Sequence, residues 1–146
     1  LIAFAMASGY AQNGRYLLSI EYYLKSIEIC ERIGDLDMLA NSHFNLAVAY
    51  ENLNLNNKAF ESYEKAINVL ELNHGEDFLN MVYGAMVFPA IAIEKYDDAK
   101  AAMMEALEVL GVGTTGSGRY LAQQLLETTD TLQRLDTLLQ LLNNNG

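Results

Sequence analysis

Apolar residues recur at intervals of three and four over most of the chain, which is the spacing of amphipathic helices. The pattern predicts seven helices, at about residues 1–12, 15–33, 35–53, 56–73, 76–88, 95–110 and 119–142. One boundary is marked by Gly34 and Asp35, a helix C-terminal glycine followed by an N-cap. Because the connections are short, we expect successive helices to pair as antiparallel hairpins.

The sequence is similar to itself at a fixed offset, a repeat period of about 40 residues. At this offset large residues align with large ones and small with small, in the sets Met6, Leu46 and Met86; Ser19, Ala59 and Ala99; Tyr23, Tyr63 and Met103; and Ser26, Ala66 and Ala106. The alignment defines three repeats, at about residues 1–34, 35–74 and 75–110, each with one hairpin. A single hairpin cannot bury its apolar side alone, so we expect the three to stack.

These residues resemble the tetratricopeptide repeat family, whose first helix carries a large residue, a small residue and a tyrosine, and whose second helix carries a small–aromatic–small signature. The first copy supplies Met6, Ala7, Tyr10, Gly14, Tyr16, Ser19, Tyr23 and Ser26, and the second Leu46, Ala47, Tyr50, Ala59, Tyr63 and Ala66. The third copy matches mainly on its second helix, at Tyr96, Ala99 and Ala106. The resemblance implies an all-α fold, a right-handed α-solenoid of three helical hairpins plus a C-terminal capping helix.

The period of about 40 residues exceeds the family's usual period of about 34. Long repeats of this kind resemble those of kinesin light chains, of the sensor arms of bacterial regulators, and of phosphatases and receptors controlled by signalling peptides. HEAT repeats share the length, but the small–aromatic–small signature favours the tetratricopeptide repeat.

In this family the first helices of the repeats line a concave groove that binds a peptide or a helix. The resemblance places there Phe4, Ser8, Ala11 and Gln12 of the first repeat, Asn41, Phe44, Asn45, Val48 and Asn52 of the second, and Met81, Gly84, Phe88 and Ala92 of the third. The two-carboxylate clamp of chaperone-binding members needs lysines and an arginine in this groove. Only Asn45 fits that clamp, so the sequence excludes this specific activity.

The groove residues indicate what kind of segment is bound. An asparagine amide can pair with a backbone amide through both a donor and an acceptor. Phe4, Phe44 and Phe88 can each accept an apolar side chain, worth about 1.5–3 kcal/mol when fully buried. We therefore expect an extended or helical segment with apolar anchors and basic flanks, attracted by the net charge of −10. The alternative for each phenylalanine is packing against a neighbouring helix.

The third repeat departs from the pattern at Gly84 and Pro89, which predict that its first helix is short or kinked. One interpretation is a shaped pocket under Phe88, and the other is a divergent terminal repeat. The segment at residues 111–118 is rich in glycine and is expected to be a flexible linker. It is not a phosphate-binding loop, because Arg119 and Tyr120 replace the Lys and Ser/Thr of that motif.

The last predicted helix, at residues 119–142, is rich in leucine. Its stripe with three-four spacing consists of Leu121, Leu125, Leu132, Leu135, Leu139 and Leu142. We expect this helix to cap the third hairpin. The alternative is pairing with another protein or with a second copy, which would give a homodimer.

Composition narrows the function further. The chain has 146 residues, of which 51% are hydrophobic, enough for one domain with a core. Nine basic and nineteen acidic residues make nucleic acid and anionic membranes poor partners. The first ten residues lack the basic segment of a signal peptide, no apolar run is long enough to span a membrane, and the leucine start suggests part of a longer protein. We therefore expect a cytoplasmic protein.

Candidate catalytic chemistry is sparse. His43 and His74 have no metal-ligand partner three or four residues away, and Cys30 aligns with Leu70 as a core residue. We expect no cofactor, no metal site and no catalysis. The sequence thus predicts a non-catalytic scaffold that binds a protein or peptide segment in its groove. The alternatives are a peptide-sensing domain of a bacterial signalling or transcription protein, a secretion chaperone, whose usual repeat is shorter, and assembly through the leucine-rich helix.

Overall fold

The computed structural model describes residues 1–73, 75–110 and 116–144, and the side chains of all of these except residues 107–125. The described residues form an all-α array. Its seven helices are α1 (Ile2–Gln12), α2 (Tyr16–Ile33), α3 (Leu36–Asn52), α4 (Asn56–Asn73), α5 (Glu76–Ala92), α6 (Tyr96–Leu110) and α7 (Gly116–Asn144). Each helix packs against the next one along the chain, which confirms the predicted solenoid of helical hairpins.

The repeat period is visible in the backbone. The first helices of the hairpins end at residues 12, 52 and 92, and the second helices begin at residues 16, 56 and 96. The corner residues between them, Gly14, Asn54 and Glu94, all adopt a positive φ, of 75°, 58° and 63°. In each corner the N–H of the following residue donates to the carbonyl five residues before it, at 2.8, 2.9 and 2.8 Å. The three hairpins therefore turn in the same way.

The core lies between the helices and follows the small–aromatic–small signature. Ala59, Tyr63 and Ala66 of α4 are completely or almost completely buried. The two small residues let α3 and α5 approach α4, and the tyrosine ring fills the space between them. The equivalent α2 residue Ser26 bonds Ser42 of α3, with 2.8 Å between the two hydroxyl oxygens.

The connection between the first two hairpins has the predicted caps. Gly34 ends α2 in the left-handed conformation, with φ of 75°. The carboxylate of Asp35 then accepts a hydrogen bond from the Met38 backbone N–H at 3.0 Å, which caps the start of α3. Glycine can adopt this φ without steric cost, and aspartate satisfies a free N–H, so the two residues together separate the helices.

Two helix boundaries differ from the prediction by more than two residues. The sequence pattern ends the first helix of the third repeat at residue 88, but α5 continues through the buried Pro89 to Ala92. Proline removes one N–H and thus one bond near the end of the helix, and burial of its ring holds it in place. α7 begins at Gly116, before the predicted start at residue 119, so the last part of the predicted linker is helical. Residues 111–115 and His74 lie outside the described residues.

Across the described ranges, no helix combines the length and the apolar character that crossing a membrane needs.

Candidate functional site

The ten residues predicted to contact a ligand lie on three helices, α1, α3 and α5, and we call them the concave surface. They are Phe4, Ser8 and Gln12 of α1, Asn41, Phe44, Asn45, Val48 and Asn52 of α3, and Met81 and Phe88 of α5. All ten are half-buried or exposed, whereas the opposite sides of α3 and α5 are buried against α2, α4 and α6. The repeat register places the three sets on equivalent faces of their helices.

The three phenylalanines have different surroundings. The ring centroid of Phe4 lies 5.7 Å from that of Tyr23. Phe44 lies between Tyr63 and Phe78, with centroids 5.6 and 5.3 Å away. Phe88 is 62% exposed. Phe4 and Phe44 therefore pack between helices, which was the alternative for each, and Phe88 is the ring that offers most of its area to solvent.

The asparagines of α3 form a series along one side of that helix. The side-chain nitrogens of Asn41, Asn45 and Asn52 each donate to the backbone carbonyl four residues earlier, at 2.9 Å in all three cases. This bond uses one of the two N–H groups of each amide and fixes the direction of the side chain. The second N–H and the carbonyl oxygen of each amide point away from that bond. The series thus presents oriented donors and acceptors.

Exposed apolar area on the concave surface increases towards α5. On α3 the apolar contribution is Val48, which is 37% exposed. On α5, Met81 is 51% exposed and Phe88 is 62% exposed. On α1, the Ser8 hydroxyl lies 3.2 Å from the Tyr23 hydroxyl in a hydrogen bond, and Gln12 is exposed. The surface is therefore polar over α1 and α3 and apolar over α5.

Comparison with known proteins identifies the repeats. Residues 1–71, nearly half of the chain, match the family model described as tetratricopeptide repeat. Residues 1–71 belong to the tetratricopeptide repeat family. Repeats of this family are protein-interaction modules. The regulatory protein RapK of Bacillus subtilis (strain 168) is 31% identical over 77 residues, which are 53% of this chain and 21% of RapK. The chain thus spans about a fifth of that relative.

Two solved structures share the fold of this chain. The crystal structure of BtubC (BKLC) from P. vanneervenii has a TM-score of 0.69 and 21% identity, and the match covers 95% of this chain and 63% of that one. The TPR domain of Sgt2 from Aspergillus fumigatus has a TM-score of 0.60 and 18% identity, with 88% and 75% covered. At these identities the similarity shows the fold alone.

Helix α7 follows the repeat register of the three helices that form the concave surface. α3, α5 and α7 begin at residues 36, 76 and 116, so α7 keeps the spacing of the two preceding first helices. Thr128 and Leu132 of α7 therefore take the positions of Val48 and Asn52 in α3. The leucine pattern predicts capping for this helix, or as the alternative pairing with another protein or a second copy, and places none of its residues in the groove. Only the repeat period, applied once more, aligns Thr128 and Leu132 with residues of the concave surface.

His43 and Cys30 are buried titratable residues outside the concave surface. His43 is only 7% exposed, and its Nδ1 has no hydrogen-bond partner among the described residues. Burial, assisted by the positive charge of Lys65, lowers the pKa of His43 to about 4, so its imidazole is neutral at pH 7. Burial raises the pKa of the Cys30 thiol and keeps it protonated. Within the described part of the chain, His, Cys, Asp and Glu form no group of three that could hold a metal ion.

Proposed function

We propose that the concave surface binds a protein or peptide segment without chemical conversion of that segment. The observations that support this most directly are the series of Asn41, Asn45 and Asn52 on α3 and the exposed ring of Phe88 on α5. Oriented amides match the backbone N–H and C=O groups of an incoming segment, and an exposed aromatic ring accepts an apolar side chain. Such a mixture fits recognition of a polypeptide better than recognition of a small polar metabolite.

The charge of the chain selects among segments. The net charge is −10, and the ten residues of the concave surface include no lysine and no arginine. A segment with basic residues at its flanks is attracted to this molecule, and an acidic one is repelled. We therefore propose a ligand with large apolar side chains as anchors and lysine or arginine beside them.

The test uses a library of random 16-mer peptides displayed on phage, about 50 Å long when extended. Peptides selected on the wild-type protein are synthesised with a fluorescent label, and their affinities are measured by anisotropy. Double replacement Asn45→Ala with Asn52→Ala is expected to weaken binding about 5- to 150-fold, because each lost hydrogen bond contributes about 0.5–1.5 kcal/mol. The selected peptides are expected to be enriched in apolar and basic residues.

The matched control replaces two exposed asparagines of α4, in Asn57→Ala with Asn68→Ala. This variant loses the same side chains outside the concave surface and is expected to bind like the wild type. Circular dichroism checks that both double variants keep their helicity. Equal binding by the two variants, or a selection that yields no binder, would contradict the proposal.

A second candidate function is peptide sensing within a regulatory protein, and the similarity to the regulatory protein RapK over 77 residues favours it. A sensor of a short peptide retains affinity when a selected peptide is shortened to its anchors, whereas a scaffold that binds a longer segment loses it. Stepwise truncation of the selected peptides, followed by thermal shift, separates the two. A secretion chaperone is disfavoured by the long repeat period.

Three expectations from the sequence stay predictions. These are a cytoplasmic location, the absence of catalysis and, as the alternative to capping, a homodimer formed through the leucine-rich helix. Sedimentation velocity over a hundredfold range of protein concentration tests the homodimer directly.

A further inference from the structure

The exposed leucines of α7 form a strip in line with the concave surface. Leu132, Leu135, Leu139 and Leu142 are 37%, 50%, 50% and 69% exposed. At 3.6 residues per turn they fall within an arc of about 80° on the helix. Leu138 and Leu141, which are 58% and 54% exposed, lie outside this arc, so the strip is one continuous apolar face among the exposed leucines of α7.

The contacts of α7 with the third hairpin fix the direction of this strip. Leu126 packs against the core cluster, and Thr129 is completely buried. Lys100 of α6 bonds Asp130 and Gln133 at 3.0 and 2.8 Å. These four α7 residues define the side that faces α6. The leucine strip is centred about 150° around the helix axis from that side. The exposed face of α5 likewise lies away from α4.

α7 also continues beyond the point where the other first helices end. Those helices end at residues 12, 52 and 92, and the register predicts an end at residue 132, but α7 runs to Asn144. The additional three turns or so extend the helix by about 18 Å, and the strip covers about 15 Å of that length. A hollow of about 520 Å³ opens beside Leu132, lined among the described residues by Glu127, Thr128, Thr131 and Leu132.

We infer that α7 is the fourth binding row of the concave surface and that its leucine strip holds the apolar end of the same bound segment. This inference rests on the proposed function. The polar rows on α1 and α3 then contact the backbone of the segment, and Met81, Phe88 and the leucine strip contact its anchors. The segment is an amphipathic one whose large apolar side chains lie at one end, with basic residues near Glu127 and Asp136.

A second copy of the chain fits the strip less well than such a segment. Two copies would each bring a net charge of −10. The strip itself contains four leucines over about three helical turns, which is short for a stable coiled coil. A basic amphipathic segment meets the same leucines without this repulsion.

The test places a polarity-sensitive fluorophore on Leu139→Cys, with Leu141→Cys as the control. The two leucines are 50% and 54% exposed and lie on opposite sides of α7. The native Cys30 is 1% exposed, so a thiol reagent reacts with the introduced cysteine. The probes are the phage-selected peptides described above. We expect a blue shift on binding from the fluorophore at residue 139 and none from that at residue 141.

An affinity measurement completes the test. Leu135→Ser with Leu139→Ser is expected to weaken binding of the same peptides at least about tenfold, while sedimentation and helicity stay unchanged. If this variant and the residue 139 fluorophore show no effect while Asn45→Ala with Asn52→Ala loses binding, the concave surface ends at α5 and the inference is wrong. A blue shift that depends on protein concentration without peptide would show that a second copy covers the strip, which also overturns the inference. If no peptide binds the wild type, the proposed function fails first.

Discussion

The corner at Glu94 offers a direct test of how the repeat geometry is held. Gly14, Asn54 and Glu94 have the same positive φ and the same hydrogen bond across the corner, although their side chains differ. Glycine adopts this conformation freely, asparagine adopts it at modest cost, and glutamate is strained by its Cβ. We therefore predict that Glu94→Gly stabilises the folded chain and leaves its helix arrangement unchanged.

The magnitude follows from two opposing effects. A residue with a Cβ loses about 1–2 kcal/mol in the left-handed region. Glycine costs about 0.5–1 kcal/mol more in backbone entropy when the chain folds. The difference leaves a net stabilisation of about 0.5–1 kcal/mol for Glu94→Gly, equivalent to about 1–4 °C in Tm for a domain of this size. Gly14→Ala reverses the change, and since its Cβ meets no atom within 4 Å, the loss there is due to φ alone.

The assay is urea unfolding followed by circular dichroism, in which the midpoint should rise while the m-value stays constant. Glu94→Gln and Glu94→Ala are the controls, because they remove the negative charge but keep the Cβ. Glycine should be more stable than both. If Glu94→Ala is as stable as Glu94→Gly, charge rather than backbone conformation explains the gain, and the strain at this corner is refuted.

Three further predictions concern side chains in the core and on the surface. The pKa of His43 is near 6.5 in the unfolded chain and about 4 in the folded one, so its contribution to stability is present above pH 6.5 and is lost as the pH falls towards 4. Between pH 7 and pH 5, the unfolding free energy of the wild type should therefore fall by about 2 kcal/mol more than that of His43→Leu in urea titrations. Equal losses in the two proteins would contradict the pKa shift. Ser42→Ala should lower the unfolding free energy by about 1–2 kcal/mol, because the Ser26 hydroxyl loses its bond to Ser42. The double variant Ser26→Ala with Ser42→Ala should recover part of that loss, and a double-variant loss equal to the sum of the two single losses would exclude coupling. Phe44→Ala should lower the unfolding free energy by about 2–4 kcal/mol, because its ring packs against Tyr63, whereas Phe88→Ala should lower it by less than about 0.5 kcal/mol, because that ring is exposed. Equal losses would mean that the two rings are buried alike.

The sequence predicts the regular parts of the fold well because the repeat supplies three independent readings of the same element. The small residues at 19, 59 and 99 and the aromatic residues at 23 and 63 specify where the second helix of each hairpin packs. The corner at Glu94 is different, because glutamate has no preference for a positive φ. Only its alignment with Gly14 and Asn54 reveals the turn.

The candidate site is harder to predict than the fold. Phe4 and Phe44 hold the same repeat position as Gly84. Each of the two rings packs against a tyrosine of the adjacent helix, Tyr23 or Tyr63, and this contact cannot be predicted from the local spacing of apolar residues. The leucine spacing of α7, taken without the repeat register, predicts capping or pairing with another chain and no part in the groove. The register shows a helix that both covers α6 and carries an exposed strip.

Methyl NMR of selectively labelled methionines tests the central claim of a ligand-binding concave surface most directly. Met81 on the concave surface is 51% exposed, and Met104 on the outer helix α6 is 57% exposed, so the two form a matched pair. On titration with a phage-selected peptide, the Met81 methyl signal is expected to shift in proportion to occupancy while the Met104 signal stays in place. A shift of Met104 with an unchanged Met81 would place the bound segment on the outer face and contradict the account.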